Sequence, residues 1–139
     1  MSFSNYLEDA ILTWAFTDDA APTRPSAWWV SLHTASPGET GANELVVGNS
    51  VSYTRVQVSG GFTTPTGGDP TEVSNAGAIV FTNTDGADTW ETANYFGVWD
   101  AQTTGNFLGG GDSAFSTGKT LGPGDTATFA IGALVIAQT

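Results

Sequence analysis

The single histidine of the chain, His33, must anchor any acid–base or metal-binding chemistry, because the sequence contains no cysteine. It follows Ser31 by two residues, and Asp100 could complete a serine–histidine–acid triad. A working triad also needs a nucleophile on a sharp turn and an oxyanion hole built from backbone amides. No segment of the sequence indicates either feature. We therefore expect His33 to be a structural or half-exposed strand residue, and we expect the protein not to be an enzyme.

Acidic residues offer two further sites, both of which have a simpler interpretation. One candidate is a pair of catalytic carboxylates drawn from three acids that lie close in sequence: Asp85, Asp88 and Glu91. Acids near strand ends are, however, expected by chance in so acidic a chain. The stretch 83–88, NTDGAD, is rich in the oxygen ligands that calcium prefers, although its spacing does not match the EF-hand. A plain surface turn explains it better, so we predict no metal and no other cofactor.

Aromatic side chains could form a platform that stacks on sugars if several of them shared one exposed face. Most should lie in the core instead, because a small sandwich must bury large apolar areas. Trp29 and Trp90 are the two exceptions: Trp29 shares a strand face with His33, and Trp90 lies in a polar stretch before a strand. We expect these two residues to contact a partner.

A loop rich in proline and glycine, residues 63–71 (TTPTGGDPT), is the segment best suited to reach a partner. Loops held on a rigid scaffold often carry binding residues. The predicted partner-binding set therefore comprises Trp29, His33, Thr64, Pro65, Thr66, Gly67, Gly68, Asp69 and Trp90.

The first segment, residues 1–17, is predicted to form an amphipathic helix capped by Ser2 or Ser4. Its apolar residues recur at helical spacing: Phe3, Leu7, Ala10, Ile11 and Trp14. This stripe must be covered by another surface. We favour the protein's own sheet over a neighbouring subunit.

Short strands separated by Gly, Pro, Asn and Asp clusters fill the rest of the chain, as in a β-sandwich. The predicted strands are 28–34, 51–59, 76–82, 94–100, 106–109 and 126–137, with weaker ones at 61–64 and 113–116. Within 126–137 the apolar phase changes at Gly132, where we expect a β-bulge. The length favours a single domain over 1–139, with the helix in 1–17 and the sandwich in 27–139.

The charge of the chain excludes several partners. The formal net charge is −11, with three cationic residues against fourteen acidic ones, so binding to a phosphate backbone and hence to nucleic acid is not expected.

No apolar run is long enough to cross a bilayer, and no basic region of a secretory signal precedes one. Few lysines protect the strand edges, so we expect oligomerisation to cover them.

Several motifs of the chain, in order, resemble a family of small virion proteins of tailed bacteriophages, described as tail-fibre-like or capsid-decoration proteins. One is L-H-T-A-x-P-G-E-T-G-A-N-E, seen at 32–44, and another is F-G-x-W-D-A-x-T-x-G-N, seen at 96–106. Further matches are the N-terminal helix at 4–9, Tyr53-Thr54-Arg55, the central strand at 78–81 and the strand entry at 119–126.

Pattern and resemblance together predict an all-β protein, a jelly-roll-like antiparallel β-sandwich of about seven or eight strands with a short N-terminal α-helix. The resemblance implies a virion structural protein that is made in the bacterial host cytoplasm and lies on the outer surface of the phage particle. We expect a capsid decoration, or cement, protein that binds neighbouring capsomers through the major capsid protein, as a homotrimer. The alternatives are a tail-fibre or tail-tip component and a module that binds host glycans.

Overall fold

The computed structural model describes residues 2–46, 52–112, 115 and 117–138, and these residues form one helix and nine short strands. In chain order the elements are β1 (Ser2–Phe3), α1 (Asn5–Phe16), β2 (Trp29–His33), β3 (Val56–Gln57), β4 (Thr71–Ser74), β5 (Ile79–Thr82), β6 (Tyr95–Trp99), β7 (Phe107–Asp112), β8 (Thr126–Phe129) and β9 (Val135–Gln138).

The strands pair in antiparallel fashion throughout, which confirms the predicted fold class. One sheet has five strands in the order β1-β7-β6-β2-β3, and two ribbons pair β4 with β9 and β5 with β8. A jelly-roll sandwich fits this arrangement, in which strands distant in sequence become neighbours. The strand count exceeds the expected seven or eight because the last predicted strand is divided and because two further strands were not predicted: β4, and β1 in the segment expected to be helical.

The core lies between the five-stranded sheet and the β5–β8 ribbon. Val30 and Leu32 of β2 point inwards and are fully buried, as strand alternation requires. On the opposite layer Phe129 contacts Phe96 of β6, with ring centroids 6.3 Å apart and the rings steeply inclined. Each such side chain contributes about 1.5–3 kcal/mol by leaving water, so these aromatic contacts hold the two layers together.

The change of phase near Gly132 marks the end of one strand and the start of another, so the predicted bulge is wrong. Gly132 has φ +77°, which a turn accommodates and a continuous strand does not. Buried Asn75 stabilises the turn: its Nδ2 donates to the carbonyl of Ala130 (2.9 Å), and its Oδ1 accepts from the amide of Leu134 (2.9 Å). β9 can then leave the β5–β8 ribbon and pair with β4.

Two other predicted strands are shorter than expected, and one falls largely outside the described residues. Within 51–59 only β3 is a strand, and residue 51 itself is not described. Within 61–64 the structure has one isolated bridge, from Phe62 to Asn75. Of the predicted strand 113–116, only Phe115 is described.

Helix α1 begins at the predicted Ser4 cap, whose Oγ accepts a hydrogen bond from the amide of Leu7 (3.1 Å). The Ser4 hydroxyl also donates to the carbonyl of Phe107, which ties the cap to β7. Tyr6 and Leu7 pack against the core, but no residue of α1 is buried. The protein's own sheet therefore covers only the first half of the stripe, which corrects the expectation that it would cover the whole. Among the described residues, no helix combines the length and the apolar character needed to cross a bilayer.

Candidate functional site

The Ser31–His33 pair exists in the structure, but it lies in the interior. His33 Nδ1 is 2.6 Å from the carbonyl of Ala42, so this nitrogen carries the proton and donates it. Nε2 is then the acceptor for the Ser31 hydroxyl (2.7 Å), and Ser31 Oγ accepts from Trp99 Nε1 (2.8 Å). Ser31 and His33 are both 0% exposed. The hydrogen-bonded chain is complete within the protein, and no substrate can reach it.

The loop that contains the SPGETGANE sequence closes over this face of β2. The loop approaches closely because Gly41 has no side chain: a Cβ there would lie 2.4 Å from Trp99 Cζ2. Gly97 of β6 leaves the space that the Ser31–His33 pair fills, since a Cβ there would lie 2.6 Å from Ser31 Oγ. The two resemblance motifs thus meet at this point, and their glycines allow the contact.

His33 is consequently structural, which corrects its assignment to a partner-binding surface. Burial lowers the pKa of His33 below its ordinary value, although the carbonyl of Ala42 and the charge of Glu44 oppose this. Asp100 does not face His33: its carboxylate accepts hydrogen bonds from the amide (2.6 Å) and side chain (2.7 Å) of Asn106. The triad weighed from the sequence is therefore not formed.

An ion pair between buried Arg55 and half-buried Glu44 holds the covering loop to the rest of the sandwich. Arg55 donates from Nε and Nη2 to the two carboxylate oxygens of Glu44, at 2.9 and 2.7 Å. Its Nη1 donates to the carbonyls of Ala101 (3.1 Å) and Thr104 (2.7 Å), and its guanidinium lies 3.5 Å from the centre of a Trp99 ring. Four of the five N–H donors of the guanidinium are thus engaged, so Arg55 is positioned to join three segments.

Trp90 also lies in the core, at 2% exposure, packed edge-on against Tyr53 with centroids 5.6 Å apart. Its Nε1 donates to Ser52 Oγ (3.2 Å), so even its polar atom faces inwards. This corrects the expectation that Trp90 contacts a partner, and it removes the sugar platform that would have paired Trp90 with Trp29. Trp29 is half-buried and stays a predicted contact.

The 83–88 stretch forms a turn organised by buried Asn83. Its Nδ2 donates to the carbonyls of Asp88 (2.8 Å) and Leu121 (2.9 Å), and its Oδ1 accepts from Ser52 Oγ (3.1 Å) and the amide of Asp85 (2.9 Å). Protein atoms thus occupy all the hydrogen-bonding capacity of this side chain. The described residues contain no cluster of three or more His, Asp or Glu able to hold a metal ion.

The predicted contact loop, 63–71, is exposed from Thr63 to Pro70, and its last residue, Thr71, is half-buried at the start of β4. It joins the Phe62 bridge to β4, and the amide of Thr66 donates to the carbonyl of Glu72 (3.0 Å). Among the described residues, no hydrogen bond joins this loop to Ser31, His33 or Trp90. Its residues 64–69 remain a predicted contact surface of their own.

Sequence reasoning missed part of an exposed apolar surface, which lies at the C-terminal end of α1. Four residues here, named below the helix end, are exposed: Ile11 by 39%, Leu12 by 57%, Trp14 by 77% and Phe16 by 79%. Contiguous apolar patches of a few hundred Å² on a soluble protein usually bind something. Leu12 and Phe16 lie off the predicted stripe, but the run ILTWAF is apolar around most of the helix, which is the signal that could have identified them.

A second apolar feature, named below the edge groove, opens between the five-stranded sheet and the β4–β9 ribbon. Its volume is about 320 Å³, and apolar side chains dominate its lining. Those used below are Leu7, Trp28, Phe62, Val73 and Ile136, with the cation Arg24 beside them. Among the described residues Arg24 forms no ion pair, and only Arg55 does.

Comparison with curated proteins yields no match. The model of one family, Gp80, described as Podophage GP4 fiber I protein gp80, matches residues 2–137. This match supports the inferred relationship to phage virion proteins, and it covers the helix end, the edge groove and the buried Ser31–His33 face alike. The chain therefore belongs to the podophage fibre I protein family, and it is a structural component of a phage virion.

Proposed function

We propose that the protein is a non-enzymatic, fibre-type component on the outer surface of a podophage virion, where it presents fixed surfaces to other virion proteins. The observation that carries this proposal is the helix end, an exposed apolar surface on a fold whose interior is otherwise complete. The family description, fiber I protein, favours a fibre over the other possible locations.

The satisfied interior supports a structural role. Within the described residues, every buried side-chain nitrogen or oxygen has a hydrogen-bond partner. Enzyme sites usually hold polar groups poised for a substrate, often with pKa values tuned towards the working pH. Among the residues that the structure describes, the two groups with shifted pKa values are buried His33 and Tyr53, and burial is the principal cause for both.

The distribution of charge supports a protein partner over a nucleic acid. Of the three cations in the chain, Arg55 is buried in its pair with Glu44. Only Arg24 and Lys119 remain exposed, against an excess of acidic residues. Such a surface repels phosphate backbones, while apolar surfaces such as the helix end bind proteins without regard to net charge.

The second candidate is the role that the sequence analysis expected first, a capsid decoration protein whose homotrimers bind the major capsid protein. The observation in its favour is the absence of a fibrous element among the described residues. The helix has 12 residues and the longest strand has six. A helix of that length spans only about 18 Å, so a fibre would need many copies or additional proteins to project far from the particle.

A phage that lacks this gene distinguishes the two candidates. The fibre proposal predicts heads as heat-resistant as those of the parent, together with poor adsorption to host cells. The decoration proposal predicts normal adsorption and heads that release DNA at a lower temperature. Complementation with the intact gene is the control, and a deletion phage that is normal in both assays would overturn both proposals.

A further inference from the structure

The side chains of the apolar stripe of α1 become more exposed towards the C-terminal end of the helix. Leu7, Ile11 and Trp14 lie on one face at spacings of four and three residues. Leu7 packs against the core, Ile11 is 39% exposed and Trp14 is 77% exposed. The exposed fraction thus rises along the helix, and a large indole side chain lies near its C-terminal end.

We propose that the C-terminal end of α1 inserts Trp14 into the edge groove of a second copy of this protein. The groove, of about 320 Å³, is large enough for the purpose, since an apolar cavity of about 150 Å³ already accepts a benzene ring. The indole cannot fill the groove of its own chain: Leu7 lines that groove, and Trp14 lies seven residues, or about 10 Å, further along a rigid helix.

Charge favours a second copy and also favours this contact over a helix–helix pair. Asp18 and Asp19 follow the helix directly, and Arg24 lies beside the groove without an ion pair among the described residues. Insertion of Trp14 would bring these acids towards the partner copy's cation. Two α1 helices packed together would instead oppose Glu8 and Asp9 with further acids, because α1 contains no basic residue.

The surface available is also of the size that an interface requires. An exposed aromatic side chain can contribute on the order of 150–250 Å², so the four residues of the helix end supply a substantial part of the roughly 800 Å² per partner in a standard interface. The inserted side chain of Trp14, named below the knob, and the edge groove lie at different places on the protein. The contact is therefore heterologous. Repeated copies would close into a ring or extend as a filament.

The experiment measures association by analytical ultracentrifugation of the full chain at several concentrations. The wild-type protein is expected to form a ring or a filament, and Trp14→Ala is expected to weaken association by about 30-fold or more, as loss of a binding hot spot does. Ile131→Ala is the matched control, since Ile131 is 70% exposed in the turn before β9. It should leave association unchanged. A monomeric wild type, or an oligomer that Trp14→Ala does not weaken, would overturn the proposal.

Mixing two variants tests the groove directly. Arg24→Glu introduces an acid beside the groove but keeps the knob, whereas Trp14→Ala keeps the groove. Each variant alone should be monomeric, and their mixture should form a one-to-one dimer that grows no further. Circular dichroism of each variant checks that it is folded, as expected for two exposed positions. No dimer in the mixture, with both variants folded, would overturn insertion into the groove. The inference holds for either virion location, because it concerns contact between copies.

Discussion

Adding one methyl group at Gly97 should destabilise the protein strongly. The Cβ of Gly97→Ala would lie 2.6 Å from Ser31 Oγ, 2.7 Å from His33 Nε2 and 2.8 Å from a ring carbon of Phe107. All three distances are shorter than normal contacts, and the groups cannot retreat because they are buried. Overpacking of this kind costs about 1–3 kcal/mol. If the Ser31–His33 hydrogen bond breaks as well, the unsatisfied group adds about 1–3 kcal/mol.

The expected loss of unfolding free energy is therefore about 2–6 kcal/mol, a large part of the 5–15 kcal/mol typical of a domain. Urea denaturation followed by tryptophan fluorescence measures it, and with an m value of about 2 kcal/mol/M the midpoint should fall by about 1–3 M. Because association would add stability, each curve is recorded at two protein concentrations.

Gly132→Ala is the matched control for the Gly97 prediction. Gly132 has φ +77°, and the nearest atom to an added Cβ is Ser74 Oγ at 4.0 Å, so this variant introduces backbone strain without a steric clash. The expected cost is about 1–2 kcal/mol. A Gly97→Ala variant as stable as Gly132→Ala would refute the close packing of β2, β6 and the covering loop.

Three further predictions follow from the buried polar groups. Arg55→Lys should lower the unfolding free energy by about 2–3 kcal/mol, measured by urea denaturation, because a lysine cannot form both hydrogen bonds to the carboxylate of Glu44. The control, Arg24→Lys at an exposed position, should change it by less than about 0.5 kcal/mol. Equal effects would contradict the stabilising role of the Arg55–Glu44 ion pair. Burial lowers the pKa of His33 in the folded state, and the unfolded value is about 6.5. Its contribution to stability is therefore complete above pH 6.5 and is lost as the pH falls towards the folded pKa. Parent and His33→Gln curves at pH 7, 6 and 5 should converge as the pH falls, and a constant gap would contradict a neutral buried imidazole. Asn75→Ala should cost about 2–4 kcal/mol, because two carbonyls and one amide lose their partner; a loss below about 1 kcal/mol in the same assay would count against it.

Much of the fold could be predicted because strand alternation and turn residues are local signals. Val30 and Leu32 are apolar residues two positions apart, so the sequence predicts that both side chains lie on the inward face of the strand. The turn sequence at 103–106, TTGN, favours a glycine at positive φ, and Gly105 has φ +77°. The helix start at Ser4 follows from capping chemistry. Gly132 shows the limit: a change of phase tells where a strand is interrupted, but a bulge and a break give the same pattern.

The candidate site was harder to predict, because periodicity assigns a residue to a face without showing what covers that face. His33 alternates correctly with Leu32, yet its face is covered by the loop 36–44, which contacts the imidazole through the carbonyl of Ala42. The helix shows the converse, since the stripe of Leu7 and Trp14 is regular while the sheet beneath it ends too soon. Both outcomes depend on long-range packing. The local hint was two glycines: Gly41, which lets the covering loop approach, and Gly97, which leaves space for the Ser31–His33 pair.

Immunogold electron microscopy of intact particles tests the proposed fibre role most directly. Antibodies raised against loop 63–70, which is exposed, would label the protein. The proposal predicts gold at discrete projections from the particle, in particles that bind host cells, and no label on phage that lacks the gene. Gold spread evenly over the capsid lattice, with none at projections, would contradict the fibre role and favour a decoration protein.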